Sequence, residues 1–267
     1  MARPRLETTP NYQVRALQRG LAILRTFNEV EPALSMAEIS RRVGIPKATA
    51  LRLLECLRQE SFLTYDEERG RYALGTGALE VGSMYQATSP LEQRAMPFLR
   101  RLAERTGQTA NLGILDGHEV LHLAVVEPNR ALRYHSRVGA RDLAHCTGLG
   151  KVLAASLDER RLGALLASGL PRRTPATIAD PAGFRQELER IRRAGYAEDL
   201  EEGAPGLRCL AAPVREATGS VVAAISISGA AAEFEEDRAA YLAALLEVAS
   251  DLSACLGWMR PAVSQTT

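Results

Sequence analysis

Residues 34–75 read LSMAEISRRVGIPKATALRLLECLRQESFLTYDEERGRYALG. Ser35 stands three residues before Glu38, the spacing at which a Ser hydroxyl caps a helix and the acid returns the hydrogen bond. The helix it opens, over about 36–43, stops at Gly44. Pro46 suits the first turn of the next helix, Lys47–Gln59, whose Ala50, Leu53, Leu54 and Leu57 fall at i, i+3, i+4 and i+7. Leu63 and Tyr65, then Tyr72 and Leu74, alternate around a charged tip at 66–70 and predict a hairpin. Upstream, Val14, Leu17, Leu21, Leu24 and Phe27, flanked by Ile23, recur at three- and four-residue spacing and predict a helix over 13–27. Helix, helix, Gly turn, helix, hairpin is the order of a winged helix-turn-helix.

Burying the third helix's apolar stripe leaves Lys47, Ala48, Thr49, Leu51, Arg52, Glu55 and Cys56 on its open face. A helix fits the DNA major groove, so the short side chains near its start can approach base edges while Lys47 and Arg52 reach phosphate or guanine. Arg41 and Arg42, ending the second helix, are placed for the phosphate backbone, and Arg69 and Arg71 in the wing for the adjacent minor groove. The plain alternative is a helical hairpin with solvated arginines. Charge favours DNA. The 267 residues carry 33 basic and 32 acidic side chains, but 10 basic and 5 acidic ones lie up to Arg58, a net of +5 against −4 for the rest. A uniformly basic coat is excluded. Only Lys47 and Lys151 are Lys.

Beyond the hairpin, Gly75 to Thr88 reads as a connecting helix that ends before Ser89 and Pro90. Then follow a helix at 91–105, strands near 108–115, 119–126 and 131–137, helices near 147–156, 158–167 and 181–194, strands at 207–214 and 220–228, and a last helix at 235–257. Hairpin-joined strands flanked by helices predict an α/β sensory domain with an antiparallel sheet. The expected organisation is an arm at 1–12, a winged helix-turn-helix at 13–75, the linker helix at 76–90, an effector domain at 91–258 and a tail at 259–267. No apolar run approaches a membrane span, and the amino terminus lacks a signal peptide's apolar core, so a cytoplasmic protein, on the nucleoid when DNA-bound, is expected.

The run LSMAEISRRVGIPKATALRLLECLRQESFL followed by YALG resembles the amino-terminal domain of the IclR family of transcriptional regulators. The likeness continues in HSRVGARDLAHCTGLGKVLAA, GYAEDLEEGAPGLRCLAAPV and VVAAISISG, and so covers nearly the whole chain. Ala48 and Leu51 depart from it, standing where the family often has polar or aromatic residues; Leu51 could meet a thymine methyl. The resemblance implies a GAF-like effector domain, and a dimer whose DNA-binding domains pack together, commonly doubled to a tetramer. The residues themselves offer an apolar first helix, Leu17, Leu21 and Leu24, for such contact.

In HCTGLGK, residues 145–151, Thr147 can cap a helix starting near Gly148, and the glycines let an anion approach backbone N–H groups. The resemblance places the effector pocket here, on Thr147, Gly148 and Leu149 with Asp199, Cys209, Ser226 and Ser228. Backbone N–H groups and two hydroxyls would hold a carboxylate, while Asp199 would accept from a ligand hydroxyl, or donate if burial protonates it. The expected partners are operator DNA, a small keto, hydroxy or aromatic acid and further copies of the chain, with no cofactor and no membrane. Ordinary pleating also puts Ser226 and Ser228 on one face.

Other readings stand beside this one. Cys209 or Cys146 could be a nucleophile served by His145 and the Gly148 N–H. Cys146 and Cys209 could sense redox if close and exposed. His145, Cys146, Asp199 and Cys209 could be drawn as a metal site, although no pair has knuckle spacing. Lys151, one turn into its helix, is expected to snorkel. Asp180, Glu187 and Glu189 read as a solvated helix face, and His118, His122 and His135 as surface or packed strand residues. No GxSxG, HExxH, P-loop or GxGxxG pattern is present.

Overall fold

The computed structural model describes residues 14–28, 30–128 and 136–259. They divide into two compact units, one up to Ser89 and one from Pro90. The first unit runs α1 (Arg15–Leu24), β1 (Ala33–Leu34), α2 (Met36–Val43), α3 (Lys47–Gln59), β2 (Leu63–Asp66), β3 (Arg71–Leu74) and α4 (Thr76–Thr88). The capping box is present: Ser35 Oγ accepts from the Glu38 N–H, and Glu38 Oε2 accepts from the Ser35 N–H at 2.8 Å. Gly44 ends α2 at φ +69°, a left-handed conformation that glycine adopts without a Cβ penalty. The turn drives Ile45 into a core of Ile23, Leu34, Ile39, Ala50, Leu54, Leu63 and Tyr72. The hairpin pairs Leu63 with Leu74 and Tyr65 with Tyr72, and β1 joins it as a third strand. α1 stops at Leu24, short of the expected Phe27; Thr26 Oγ1 donates to the Ile23 carbonyl at 2.7 Å and closes a turn there.

The second unit runs α5 (Pro90–Thr106), β4 (Thr109–Asp116), β5 (Glu119–Val126), β6 (Arg141–Leu143), a short 3-10 turn at Ala144–Cys146, α6 (Gly148–Ala155), α7 (Glu159–Ala167), α8 (Pro181–Ala194), β7 (Ala197–Leu200), β8 (Leu207–Arg215), β9 (Val221–Ala230) and α9 (Ala231–Cys255). Its strands form one antiparallel sheet in the order β6-β5-β4-β9-β8-β7. Alternation assigns the two faces. Ala110, Leu112, Leu210, Ala212, Ile225 and Ile227 pack under α5 and α9, whereas Ala197, Ala211 and Ala224 pack under α6 and α8. The last helix begins at Ala231, four residues before its expected start. His118 lies exposed in the turn between β4 and β5 and not in a strand, because Gly117 at φ +68° reverses the chain there. The expected arm at 1–12, the greater part of the strand expected at 131–137, with His135, and the tail after Met259 lie outside the described residues. No helix among the described residues is long and apolar enough to cross a membrane.

Candidate functional site

On the first unit, Lys47, Ala48, Leu51 and Arg52 are exposed on one face of α3, with Thr49 half-buried beside them. Arg41 and Arg69 are also exposed, and Arg69 Nε lies 3.7 Å from Asp66 Oδ2 in the wing. Arg42 and Arg71 are tied into the fold. Arg42 pairs with Glu31, and Arg71 donates to the Ala33 carbonyl at 2.8 Å, bracing β3 against β1. Glu55 on the α3 face holds Arg58 in two hydrogen bonds of 2.8 and 2.9 Å.

In the second unit the sheet register builds the floor of a cavity. Asn111, Ser226, Ala211 and Ala197 form one row across four strands, and Thr109, Ser228, Cys209 and Asp199 form the next. Both rows face the α6 side. Above them α6 starts at Gly148, capped by Thr147, whose Oγ1 accepts from the Gly150 N–H at 3.2 Å. Gly150 is required by close approach, since a Cβ there would lie 2.2 Å from the Ala144 carbonyl oxygen. The first N–H groups of α6 have no partner within the helix, and Gly148 and Leu149, which carry them, line the cavity over the sheet's polar end.

The resulting cavity, about 330 Å³, is lined by all seven expected residues, Thr147, Gly148, Leu149, Asp199, Cys209, Ser226 and Ser228. Cys146, singled out in the sequence only for thiol or metal chemistry, also lines it, as do Glu119, His122, Ser136, Arg141, Asp142, Arg173 and Gly203, which had no distinguishing signal there. His122 is buried, with Nε2 2.9 Å from Asp142 Oδ2. Seven buried side-chain polar atoms among the described residues have no partner. Three of them, Asn111 Oδ1, His122 Nδ1 and Glu202 Oε2, belong to residues on or beside this cavity.

Asp199, 1% exposed, is pushed up to about 6 by burial, against the hydrogen bond its Oδ1 accepts from the Glu202 N–H at 2.7 Å. Lys151 does not snorkel. It is 1% exposed, with Nζ on Glu202 and 3.2 Å from Glu187 Oε1, because the helix face that carries it packs into the domain and its charge meets partners there. Glu187 is accordingly no solvated residue: it is largely buried, and Arg190 with Lys151 holds it below the usual carboxylate range despite burial. Glu202 is raised, since burial outweighs Lys151. Asp180 and Glu189 are exposed, and Asp180 caps α8.

The competing chemistries lose their geometry. His145 is buried with Nε2 3.0 Å from the Pro171 carbonyl oxygen, and burial lowers its pKa. Burial pushes the Cys146 thiol up to about 12 and the Cys209 thiol well above its ordinary value, so neither is a ready nucleophile. Both are buried, which removes the exposure a redox sensor needs, and the described residues contain no metal-holding cluster.

A winged helix-turn-helix with a basic open face, followed by an α/β domain with a polar cavity, defines a DNA-binding regulator. Comparison with known proteins supplies the family. Residues 16–67 match the IclR helix-turn-helix domain and residues 84–254 the bacterial transcriptional regulator IclR C-terminal domain. The chain is 36% identical to the HTH-type transcriptional repressor AllR of Salmonella typhi, over 96% of this chain and 94% of that protein. It is 38% identical to the HTH-type transcriptional regulator BhcR of Paracoccus denitrificans, over 90% and 86%. The crystal structure of an IclR homologue complexed with 4-hydroxybenzoate from Microbacterium hydrocarbonoxydans superposes with a TM-score of 0.78 at 28% identity, covering 90% of this chain and 98% of that one. The chain belongs to the IclR family and is a transcriptional regulator, not an enzyme.

Proposed function

We propose that this regulator binds a pseudo-palindromic operator as a dimer or tetramer and senses a small organic acid in the cavity of its second unit. The observation that carries the reading is the convergence of the α6 N-terminus, Ser226, Ser228 and Asp199 on one cavity. N–H groups and hydroxyls suit a carboxylate, and Asp199 suits a hydroxyl on the same molecule. The homologue solved with 4-hydroxybenzoate supports a ligand of this kind, as does a cavity of about 330 Å³. Exposed Lys47, Ala48, Leu51 and Arg52, with half-buried Thr49, contact bases and neighbouring phosphates. Arg41 and Arg69 add backbone and wing contacts, and Arg42 and Arg71 hold the surfaces that carry them. One short helix reads too few bases for genomic specificity, so two heads act together. Leu17 and Leu21 of α1, 61% and 48% exposed, offer an apolar face for that pairing. The ligand acts by favouring one placement of the heads.

The test is operator affinity with and without acids that raise the melting temperature, in the wild type and in Ser226→Ala/Ser228→Ala. The wild type should respond and the double variant should bind operator without responding. A double variant that still responds places the effector elsewhere.

A further inference from the structure

We propose that Arg173 binds a second acid group at the mouth of the cavity, so that the effector is a dicarboxylate; this rests on the pocket reading above and names the class of ligand.

Arg173 lies in the turn between α7 and α8 and lines the cavity. The turn beneath it is fixed from both sides. Buried Thr177 accepts the N–H groups of Arg173 and Thr174 on Oγ1, at 3.0 and 2.9 Å, and donates to the Glu202 carbonyl at 2.7 Å. Buried Thr174 donates to the Glu201 carbonyl at 2.7 Å, and the Pro171 carbonyl oxygen lies 3.0 Å from His145 Nε2. Arg172 is used up in the turn itself, its Nη1 donating to the Pro175 and Thr177 carbonyls at 3.0 and 3.2 Å. Arg173, the next residue, has no ion pair and no side-chain hydrogen bond among the described residues.

The other charged side chains on the cavity wall all have partners in the protein. Arg141 pairs with Asp116 and Glu119, His122 with Asp142, and Asp199 accepts the Glu202 N–H. Among the described residues, the charge this wall leaves to a ligand is therefore the guanidinium of Arg173. Its field reaches the site: burial pushes the Cys146 thiol up, and Arg173 pulls it the other way.

Depth separates Arg173 from the proposed seat of the first acid group. Ser226 and Ser228 are 2% and 4% exposed and lie at the floor, whereas Arg173 is exposed at the rim. A monocarboxylate held by the serines leaves the guanidinium without a counter-charge. A second carboxylate at the far end of the same molecule meets its forked donors, a match in both charge and shape. Because the turn already holds the backbone of Arg173, little order has to be imposed on the loop when the ligand arrives.

Calorimetric titration of malonate, succinate, glutarate and terephthalate, each beside its monoamide, tests this on the full chain. The monoamide keeps one acid group for the floor and nearly the same shape, and lacks only the second charge. For at least one pair the wild type should bind the diacid about fivefold or more tighter, and in Arg173→Gln that ratio should fall about threefold or more. The variant should fold, since the side chain it replaces is exposed and the N–H that Thr177 accepts is retained. A wild type that binds acids but shows no such preference, or an Arg173→Gln protein whose ratio falls by less, overturns the proposal and leaves the pocket reading intact. If neither diacid nor monoacid binds the wild type, the pocket reading itself fails and the proposal goes with it.

Discussion

Replacing Lys151 by Met keeps the side chain's length and removes the ammonium between Glu202 and Glu187. Glu187 retains two hydrogen bonds from Arg190, at 2.7 and 2.9 Å, so the loss falls on Glu202, which is 5% exposed and whose Oε2 already lacks a partner. Breaking a buried pair from one side costs about 3–5 kcal/mol. The alternative open to Glu202 is to take up a proton. From an ordinary carboxyl pKa of about 4.3 to pH 7.3 that costs about 4 kcal/mol, at about 1.4 kcal/mol per pH unit. The two routes agree, and about 4 kcal/mol is the expected destabilisation at pH 7.3. The folded variant then holds a proton that the unfolded chain does not, so its stability falls as pH rises, and the deficit should shrink by about 1.4 kcal/mol for each pH unit lowered toward 5. Lys151→Met/Glu202→Gln, without the stranded charge, should recover most of the loss at neutral pH. Trp258 is the only tryptophan and lies in the second unit, so urea denaturation followed by its fluorescence reads that unit. A loss under about 1 kcal/mol that is flat with pH, the behaviour of an exposed ion pair, would refute the reasoning.

Arg52→Ala should weaken specific operator binding by about 1–3 kcal/mol and leave unrelated DNA unchanged, measured by fluorescence anisotropy; a uniform loss assigns Arg52 to phosphate instead. A thiol reagent should modify exposed Cys56 and Cys255 in native buffer and reach Cys146 and Cys209 only after urea is added, whereas four fast thiols would contradict their burial. Acid affinity should fall as pH rises from 5.5 to 7.5, because Asp199 ionises around 6 and then repels an anion; Asp199→Asn should flatten the profile, and an unchanged slope would remove Asp199 from the ligand's surroundings.

The DNA-binding unit was legible because each of its signals is local. The Ser35–Glu38 box, the turn at Gly44, the α3 stripe and the alternating hairpin all act within a few residues, and each is present in the structure. The seven expected pocket residues were available from the family resemblance, while period-two alternation alone left Ser226 and Ser228 open to ordinary pleating. Asn111, His122, Arg141 and Arg173 join the site through strand pairing and loop packing across distant parts of the chain, which no local spacing encodes. Lys151 was misread for a related reason. Its helix position suggested a snorkelling stem, but its burial depends on Glu187 and Glu202, 36 and 51 residues away. The strands β1 and β6, of two and three residues, are too short to carry a periodic signal, and β7, with Glu198 and Asp199 side by side between Ala197 and Leu200, has no apolar alternation; all three exist through the pairing their neighbours offer.

The central claim is that the second unit's cavity holds the effector by its acid group. A crystal structure grown with whichever acid gives the largest concentration-dependent thermal shift tests it most directly. The expected result is a carboxylate within hydrogen-bond distance of the Gly148 and Leu149 N–H groups and the Ser226 and Ser228 hydroxyls, with any ligand hydroxyl on Asp199. An acid bound outside this cavity, or within it with its carboxylate turned away from the start of α6, would contradict the claim.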